Sequence, residues 1–282
     1  MKRIITIAAS FSGKISVGQY ENSQPFFSAS EVSEMDFDTP EKADQYIKER
    51  QDQLQAICSG NFEAEALKAK INKIKADRKD FRWYAGLEGD YPSVTSILGY
   101  DSTFFASDEE LREYAAQWNI IHAQVAEYIK TGEWKDANKV DGLGADLFII
   151  KTGKLGLSLD GWDFLGLCKK FKVTNLTNGT PVVSEKHKYG GLPDIPTCLV
   201  DGVKTLADIK RTVDKTKNLI QMSAYEMARR EMGQEPNEQI AIFPLNDKTE
   251  RGFSTPVATK EIEKYFDMFL YKRREFAKVY SI

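Results

Sequence analysis

The chain has little cysteine, no long apolar run and almost no excess of either charge, and each shortage removes a class of protein. Cys58, Cys168 and Cys198 are its three cysteines in 282 residues. Odd in number and widely spaced, they make neither a disulfide framework nor a zinc pattern, which points to reduced thiols in a cytoplasmic protein. No apolar stretch approaches the roughly 18 residues of a membrane span, so the chain reads as soluble, with no membrane partner. The opening MKRIITIAAS has a basic tip, yet Thr6 interrupts its apolar stretch and no small-residue cleavage site follows, so it reads as a strand. A net charge of -3 supplies no global pull toward nucleic acid. Any such binding has to come from a local basic surface. Internal repeats and low-complexity segments are absent too.

What is present is globular: 29% charged and 41% hydrophobic residues, over a length that suits one sizeable domain plus an appendage. Residues 3–32 alternate around Gly13, Gly18 and the Asn22-Ser23-Gln24-Pro25 turn, which predicts two or three short strands. Thr39 with Pro40 behind it starts an amphipathic helix that Gly60 is expected to stop. A second helix, with Leu67, Ile71 and Ile74 as its stripe, runs to about Arg78. The character changes near Phe81, giving an N-terminal module at 1–80 and a second domain at 81–282. In the latter a helix spans Asp108 to Thr131, and a Gly/Asp-rich loop lies near Asp141 to Gly144. TPVVSEKHKYGG, TCLVDG and TLADIK read as strands, NLIQMSAYEMARREMG as a helix, EQIAIFPLN as a strand, and a last helix begins near Thr259. That order predicts an α/β (α+β) fold with a mixed central sheet flanked by helices.

The chemistry gathers on those strands. Asp208 and Lys210 are two apart, so they share a strand face while Ile209 points the other way. If Asp201-Gly202 turns the preceding strand back, Asp194 comes opposite Asp208. Two carboxylates so close raise each other's proton affinity unless a cation lies between them. Hard oxygen ligands with room for water suit magnesium or manganese.

At these residues a resemblance becomes specific. YGGLPD, then LADIK, then QMSAY on the following helix is similar to the D...(D/E)xK...QxxxY pattern of the PD-(D/E)XK nuclease superfamily, in its RecB-like branch. WNIIHAQVAEYI supplies His122 where that branch has a helix histidine. YPSVTSIL, Tyr91 to Leu98, resembles the PSVT-type motif of phage and mitochondrial genome-maintenance exonucleases. The resemblance covers about Tyr91 to Arg230, and its strength is four motifs in the right order. Arg211 departs from it, standing before Thr212 where the family usually has a small hydroxylated residue.

The resemblance implies a restriction-endonuclease-like core and a metal-dependent deoxyribonuclease, of exonuclease type, in DNA recombination, repair or phage DNA processing. The partner implied is DNA, single-stranded or with an accessible end, in a bacterial or phage-infected cell. His122, Asp194 and Asp208 are implied ligands of Mg2+ or Mn2+, with the carbonyl of Ile209 as a further one. Lys210 is then expected to contact the attacking water or the scissile phosphate. Gln221 and Tyr225, at i and i+4, share a helix face that the family sets beside the active site. Iron–sulfur members use four flanking cysteines, so no cluster is expected here.

Other residues keep two readings each. Glu185 is a further acid of the pocket, off the metal list. Ser93 and Thr95 serve either a loop or a phosphate. Trp83, Tyr84 and Tyr91 either stack on bases or pack. KRTVDKTK and YKRREFAK read as solvated faces, and the first, which lies beside the site, has contact to the DNA backbone as its second reading. The N-terminal module is a possible site for a protein partner. The alternative function is a catalytically silent DNA-binding or recombination scaffold that keeps the fold, and a third is a metal-dependent hydrolase of another substrate.

Overall fold

Successive residues of a strand point to opposite faces, and TIAAS obeys that period: Ile7 and Ala9 are buried while Thr6, Ala8 and Ser10 are exposed. The computed structural model describes residues 2–12, 15–16, 22–23, 26–36, 39–102, 107–158, 162–246 and 249–282. The chain divides into two compact units, Met1–Asp80 with Ala277–Ile282, and Phe81–Phe276.

In the first unit, β1 (Lys2–Ser12), β2 (Ile15–Ser16), β3 (Asn22–Ser23) and β4 (Phe26–Asp36) precede α1 (Pro40–Asp77). The short strands expected here are one long antiparallel ladder, from Lys2 opposite Asp36 to Ser12 opposite Phe26. Asn22 and Ser23, expected in a turn, pair with Ser16 and Ile15. Gly13, Gly18, Gln24 and Pro25 lie outside the described residues. Ile7 and Ala9 pack with Leu54 of α1. Thr39 caps α1 by accepting from the Lys42 N–H, with Pro40 in the first turn.

Gly60 does not stop that helix: α1 is one helix of 38 residues. A mid-helix glycine costs only about 1 kcal/mol against alanine. The helix formers Glu63 to Lys68 carry the chain past it.

The second unit opens with the hairpin β5 (Trp83–Gly86) and β6 (Gly89–Pro92), followed by α2 (Val94–Gly99) and α3 (Asp108–Thr131). A capping box fixes the start of α3: Ser107 accepts from the Glu110 N–H, and Glu110 accepts from the Ser107 N–H. Gly132, at φ 75°, ends it. A 3-10 turn at Ala137–Lys139, α4 (Gly144–Thr152) and α5 (Phe164–Lys170) come next. The strands β7 (Val173–Thr174), β8 (Val182–Ser184), β9 (Tyr189–Gly191), β10 (Ile195–Val200) and β11 (Val203–Lys210) follow. α6 (Lys215–Glu231), β12 (Gln239–Pro244), β13 (Val257–Thr259) and α7 (Ile262–Tyr280) complete the chain.

The fold is mixed α/β. Its five-stranded sheet runs β13-β12-β11-β10-β7, with β11 and β12 parallel and the other neighbours antiparallel. A parallel pair needs a crossover, and α6 supplies it. TPVVSEKHKYGG is not one strand of this sheet. It folds into the separate hairpin β8–β9, Val182 opposite Gly191. β13 occupies the residues where the last helix was expected to begin, and that helix starts at Ile262.

Ile121 and Val125 of α3 and Phe164 and Leu167 of α5 pack on Ala207 and Ile209, covering one face of β11. All three cysteines are buried free thiols. Among the described residues no helix is long and apolar enough to cross a membrane.

Candidate active site

The geometry of the site begins in a two-residue turn. Asp201 and Gly202 both have positive φ, 47° and 84°, the requirement of a type I′ hairpin whose twist matches its strands. The turn sets Val200 opposite Val203. After an irregularity between Ile195 and Cys198, Ile195 stands opposite Ala207. Continuing that register by one residue brings Asp194 opposite Asp208.

The contacts show how close they are. The Asp194 N–H donates to Asp208 Oδ1 at 3.4 Å, and the Ile209 N–H donates to Asp194 Oδ2 at 2.9 Å. Pro193 has no N–H to donate. In the continued register it is the residue opposite Ile209, so the ladder offers the Ile209 carbonyl no donor there.

Lys210 ion-pairs with Asp208, whose carboxylate is almost wholly buried. His122 reaches in from α3, its Nε2 3.6 Å from Asp194 Oδ2. Burial pushes the His122 imidazole down to about 4; the charges of Lys210 and Arg82 add to that and Asp208 opposes it. The ring is therefore neutral at pH 7, and its approach to Asp194 is not an ion pair. Burial pushes Asp208 up to about 7, with the Asp194 charge adding and Lys210 opposing. Burial pulls the Lys210 ammonium down, but the charges of Asp208 and Asp194 outweigh it and leave the amine raised. In this state Lys210 is a cation.

One buried atom here, His122 Nε2, has no hydrogen-bond partner among the described residues, while Asp208 Oδ2 is held by the Lys210 ammonium. An unsatisfied imidazole nitrogen, next to two carboxylates and a carbonyl with no ladder donor, forms a donor set that suits a hard divalent cation. Among the described residues, no three His, Cys, Asp or Glu side chains already surround one point that could hold a metal ion. Asp194 holds the Ile209 amide and Asp208 holds Lys210 instead.

Two clefts meet at His122 and Ile209. The smaller, about 250 Å³, is bounded by Val125, Leu192, Pro193 and Asp194. The larger, about 720 Å³, runs past Lys210, Arg211 and Arg82 and along the Tyr114 and Trp118 side of α3.

Gln221 and Tyr225 are adjacent on α6, the Gln221 Nε2 donating to the Tyr225 hydroxyl at 2.8 Å. Both are buried, and neither lines a cleft. Burial, with the charges of Asp208 and Asp194 adding, holds the Tyr225 hydroxyl well above its ordinary range. The YGG motif has a packing cause. A Cβ on Gly191 would sit 2.1 Å from Tyr225 Cε1, and one on Gly190 would sit 2.5 Å from Tyr84 Cβ.

Several candidates lie elsewhere. Glu185 gives its oxygens to the Leu87 N–H and the Tyr91 hydroxyl, a tie to the β5–β6 hairpin, and lines neither cleft. Tyr91 is buried, so stacking on a base is closed to it. Trp83 and Tyr84, on the same hairpin, line neither cleft. Ser93 caps α2 by accepting from the Ser96 N–H, and Thr95 bonds to Ser93. That assigns PSVT a helix-capping role. YKRREFAK lies on α7, where Arg273 donates to the backbone of His187 and Lys188. In KRTVDKTK, Lys210 and Arg211 line the larger cleft and Asp214 caps α6.

Sequence reading missed Arg82, Tyr114 and Trp118. The signal for two of them was present: Tyr114, Trp118 and His122 stand at i, i+4 and i+8 on α3. No protein-family model matches the chain, and no curated protein matches it in sequence. Its functional reading therefore rests on the site.

Proposed function

We propose that this chain is a metal-dependent deoxyribonuclease of the PD-(D/E)XK type, resembling the RecB-like branch, that hydrolyses DNA phosphodiesters from an end. The observation that carries the reading is the join between Asp194 and Asp208, with Lys210 on one carboxylate and His122 beside the other, where two clefts meet. His122, Asp194, Asp208 and the Ile209 carbonyl would hold Mg2+ or Mn2+. When bound, such an ion lowers the pKa of a water and polarises the phosphoryl oxygen.

The chain's own residues do the rest. The ammonium of Lys210 offsets negative charge that grows on the phosphoryl oxygens as the P–O bond to the leaving group breaks. The Ile209 N–H fixes the orientation of Asp194, so the carboxylate is set before substrate arrives. Tyr225 and Gln221 support the site from behind: their mutual hydrogen bond and the packing of Tyr225 on Gly191 hold the β9 backbone three residues before Asp194.

The test incubates the protein with end-labelled single- and double-stranded DNA in magnesium, manganese or chelator. Cleavage that needs the metal and falls roughly 100-fold or more in Asp208→Ala and Lys210→Ala supports the assignment. Cleavage indifferent to both substitutions rejects the site. Binding without cleavage by the wild type favours the silent scaffold.

A further inference from the structure

We infer that Glu226, buried on α6 and outside both clefts, is a positioning residue: through Asn237 and Arg229 it holds a β-bulge in β10, and that bulge sets Asp194 opposite Asp208. This inference rests on the nuclease reading and adds to it what fixes the register of its site.

The bulge is visible in the pairing of β10 with β11. From Cys198 back to Ile195 is three residues on β10, while their partners Thr205 and Ala207 are two apart on β11. One extra residue in one strand is a β-bulge, a device that re-aims side chains. Had the pairing run on from Cys198 without it, Asp194 would stand opposite Ile209 instead of Asp208. Side chains alternate along a strand, so that single step would turn the Asp194 carboxylate to the face that Ile209 shares with Phe164 and Leu167.

Pro196 and Thr197, the residues within the bulge, have no partner in the β11 ladder. Side chains hold them instead. Asn237 Nδ2 donates to the Pro196 carbonyl and Arg229 Nη2 donates to Thr197 Oγ1, each at 3.0 Å. Glu226 fixes both of these donors. Its Oε2 accepts from Asn237 Nδ2 and Arg229 Nη1, each at 2.7 Å. Its Oε1 accepts from the Asn237 N–H at 2.8 Å and from Arg230 Nε at 2.9 Å.

Glu226 is 0% exposed, Arg229 5% and Asn237 2%. Stability alone does not call for such a cluster, because well-packed apolar residues of similar volume often serve as well as a buried ion pair. Apolar residues cannot, however, bind a carbonyl and a hydroxyl that the ladder leaves open. The neighbour of Glu226 on α6 is Tyr225, whose ring packs on Gly191. α6 therefore grips the chain on both sides of Asp194, at Gly191 before it and at Pro196 and Thr197 after it.

The test uses the full chain and reads register, catalysis and stability separately. Asp194→Cys with Asp208→Cys reports register without metal or DNA, since opposite residues of an antiparallel pair lie about 4.5–5.5 Å apart at Cα, within disulfide reach. A slip of one residue points the two Cβ atoms apart. In a glutathione redox buffer the bridge forms in this background, as mapped by mass spectrometry, and adding Glu226→Gln abolishes it. With Asp194 and Asp208 intact, Glu226→Gln lowers kcat about 100-fold and leaves KM for DNA unchanged. Thr197→Val is isosteric at a partly buried position, so it remains folded even if Glu226→Gln does not, and it lowers bridge yield and kcat without moving KM. Leu143→Ala, in a separate core cluster, is the stability control: it loses stability in urea unfolding and keeps the bridge and kcat. Folded Glu226→Gln or Thr197→Val variants that keep the bridge or wild-type kcat overturn the inference, as does loss of both readouts in Leu143→Ala. A wild type that never cuts DNA rejects the nuclease reading alone, and the bridge still decides whether Glu226 sets the register.

Discussion

Ile209 gives its N–H to a side chain, Asp194 Oδ2 at 2.9 Å, where a strand residue ordinarily gives it to a neighbouring carbonyl. Pro193 ends the pairing of β10 at that point, and Asp194 takes over the open position. The same residue thus satisfies a backbone donor and presents a carboxylate to the site.

That double duty separates two substitutions. Asp194→Asn keeps an oxygen for the Ile209 amide, whereas Asp194→Ala leaves the amide unpaired at a cost of about 1–3 kcal/mol. Urea unfolding in chelator should place the asparagine variant close to wild type and the alanine variant below it. Both should lose cleavage. Equal stability of the two variants would remove the bond from the account.

The pH dependence of stability follows from two shifts of opposite sign. Asp208, pushed up to about 7, contributes stability that is full below its unfolded value of 3.8 and is lost as pH rises through about 7. His122, pushed down to about 4, contributes stability that is full above its unfolded value of 6.5 and is lost as pH falls through about 4. Between about 4 and 6.5 the two slopes oppose each other. In chelator, Asp208→Asn should therefore gain stability with rising pH in that window, relative to wild type. His122→Gln should lose it. Parallel profiles for all three proteins would contradict the assignment of either shift.

Two glycines make a matched pair. Gly191→Ala drives a methyl into Tyr225 and should cost about 1–3 kcal/mol by overpacking, with a fall in cleavage. Gly60→Ala meets nothing within 4 Å in the middle of α1 and should stabilise that helix by about 1 kcal/mol. Thermal unfolding of the two variants reads both signs. A neutral Gly191→Ala would mean that Tyr225 is free to move.

Much of the site was legible in local chemistry. Asp201-Gly202 demands a positive-φ turn, the period of two puts Asp208 and Lys210 on one face, and Ser107 with Glu110 writes the start of α3. Local rules fail where the outcome depends on what packs against an element. The alternation through VVSEKHKYGG is the same in one strand or in a hairpin, and Lys188 with φ 54° carries no glycine or proline to announce the turn. Gly60 looks like a stop because a sequence shows the residue and not its φ. The face of α3 bearing Tyr114 and Trp118 has the composition of a core stripe, and only the placement of Arg82 and Arg211 across from it reveals a groove. Glu185 read as one more acid because its partner Tyr91 is 94 residues away.

The central claim is that the imidazole and the two carboxylates converge on one divalent ion, and manganese titration followed by electron paramagnetic resonance tests it most directly. The account predicts that wild type binds Mn2+ and that His122→Ala, Asp194→Ala and Asp208→Ala each weaken binding about 10-fold or more. Glu185→Gln, whose oxygens are engaged by Leu87 and Tyr91, should bind as wild type does. Mn2+ affinity undiminished in Asp194→Ala and Asp208→Ala would contradict the account.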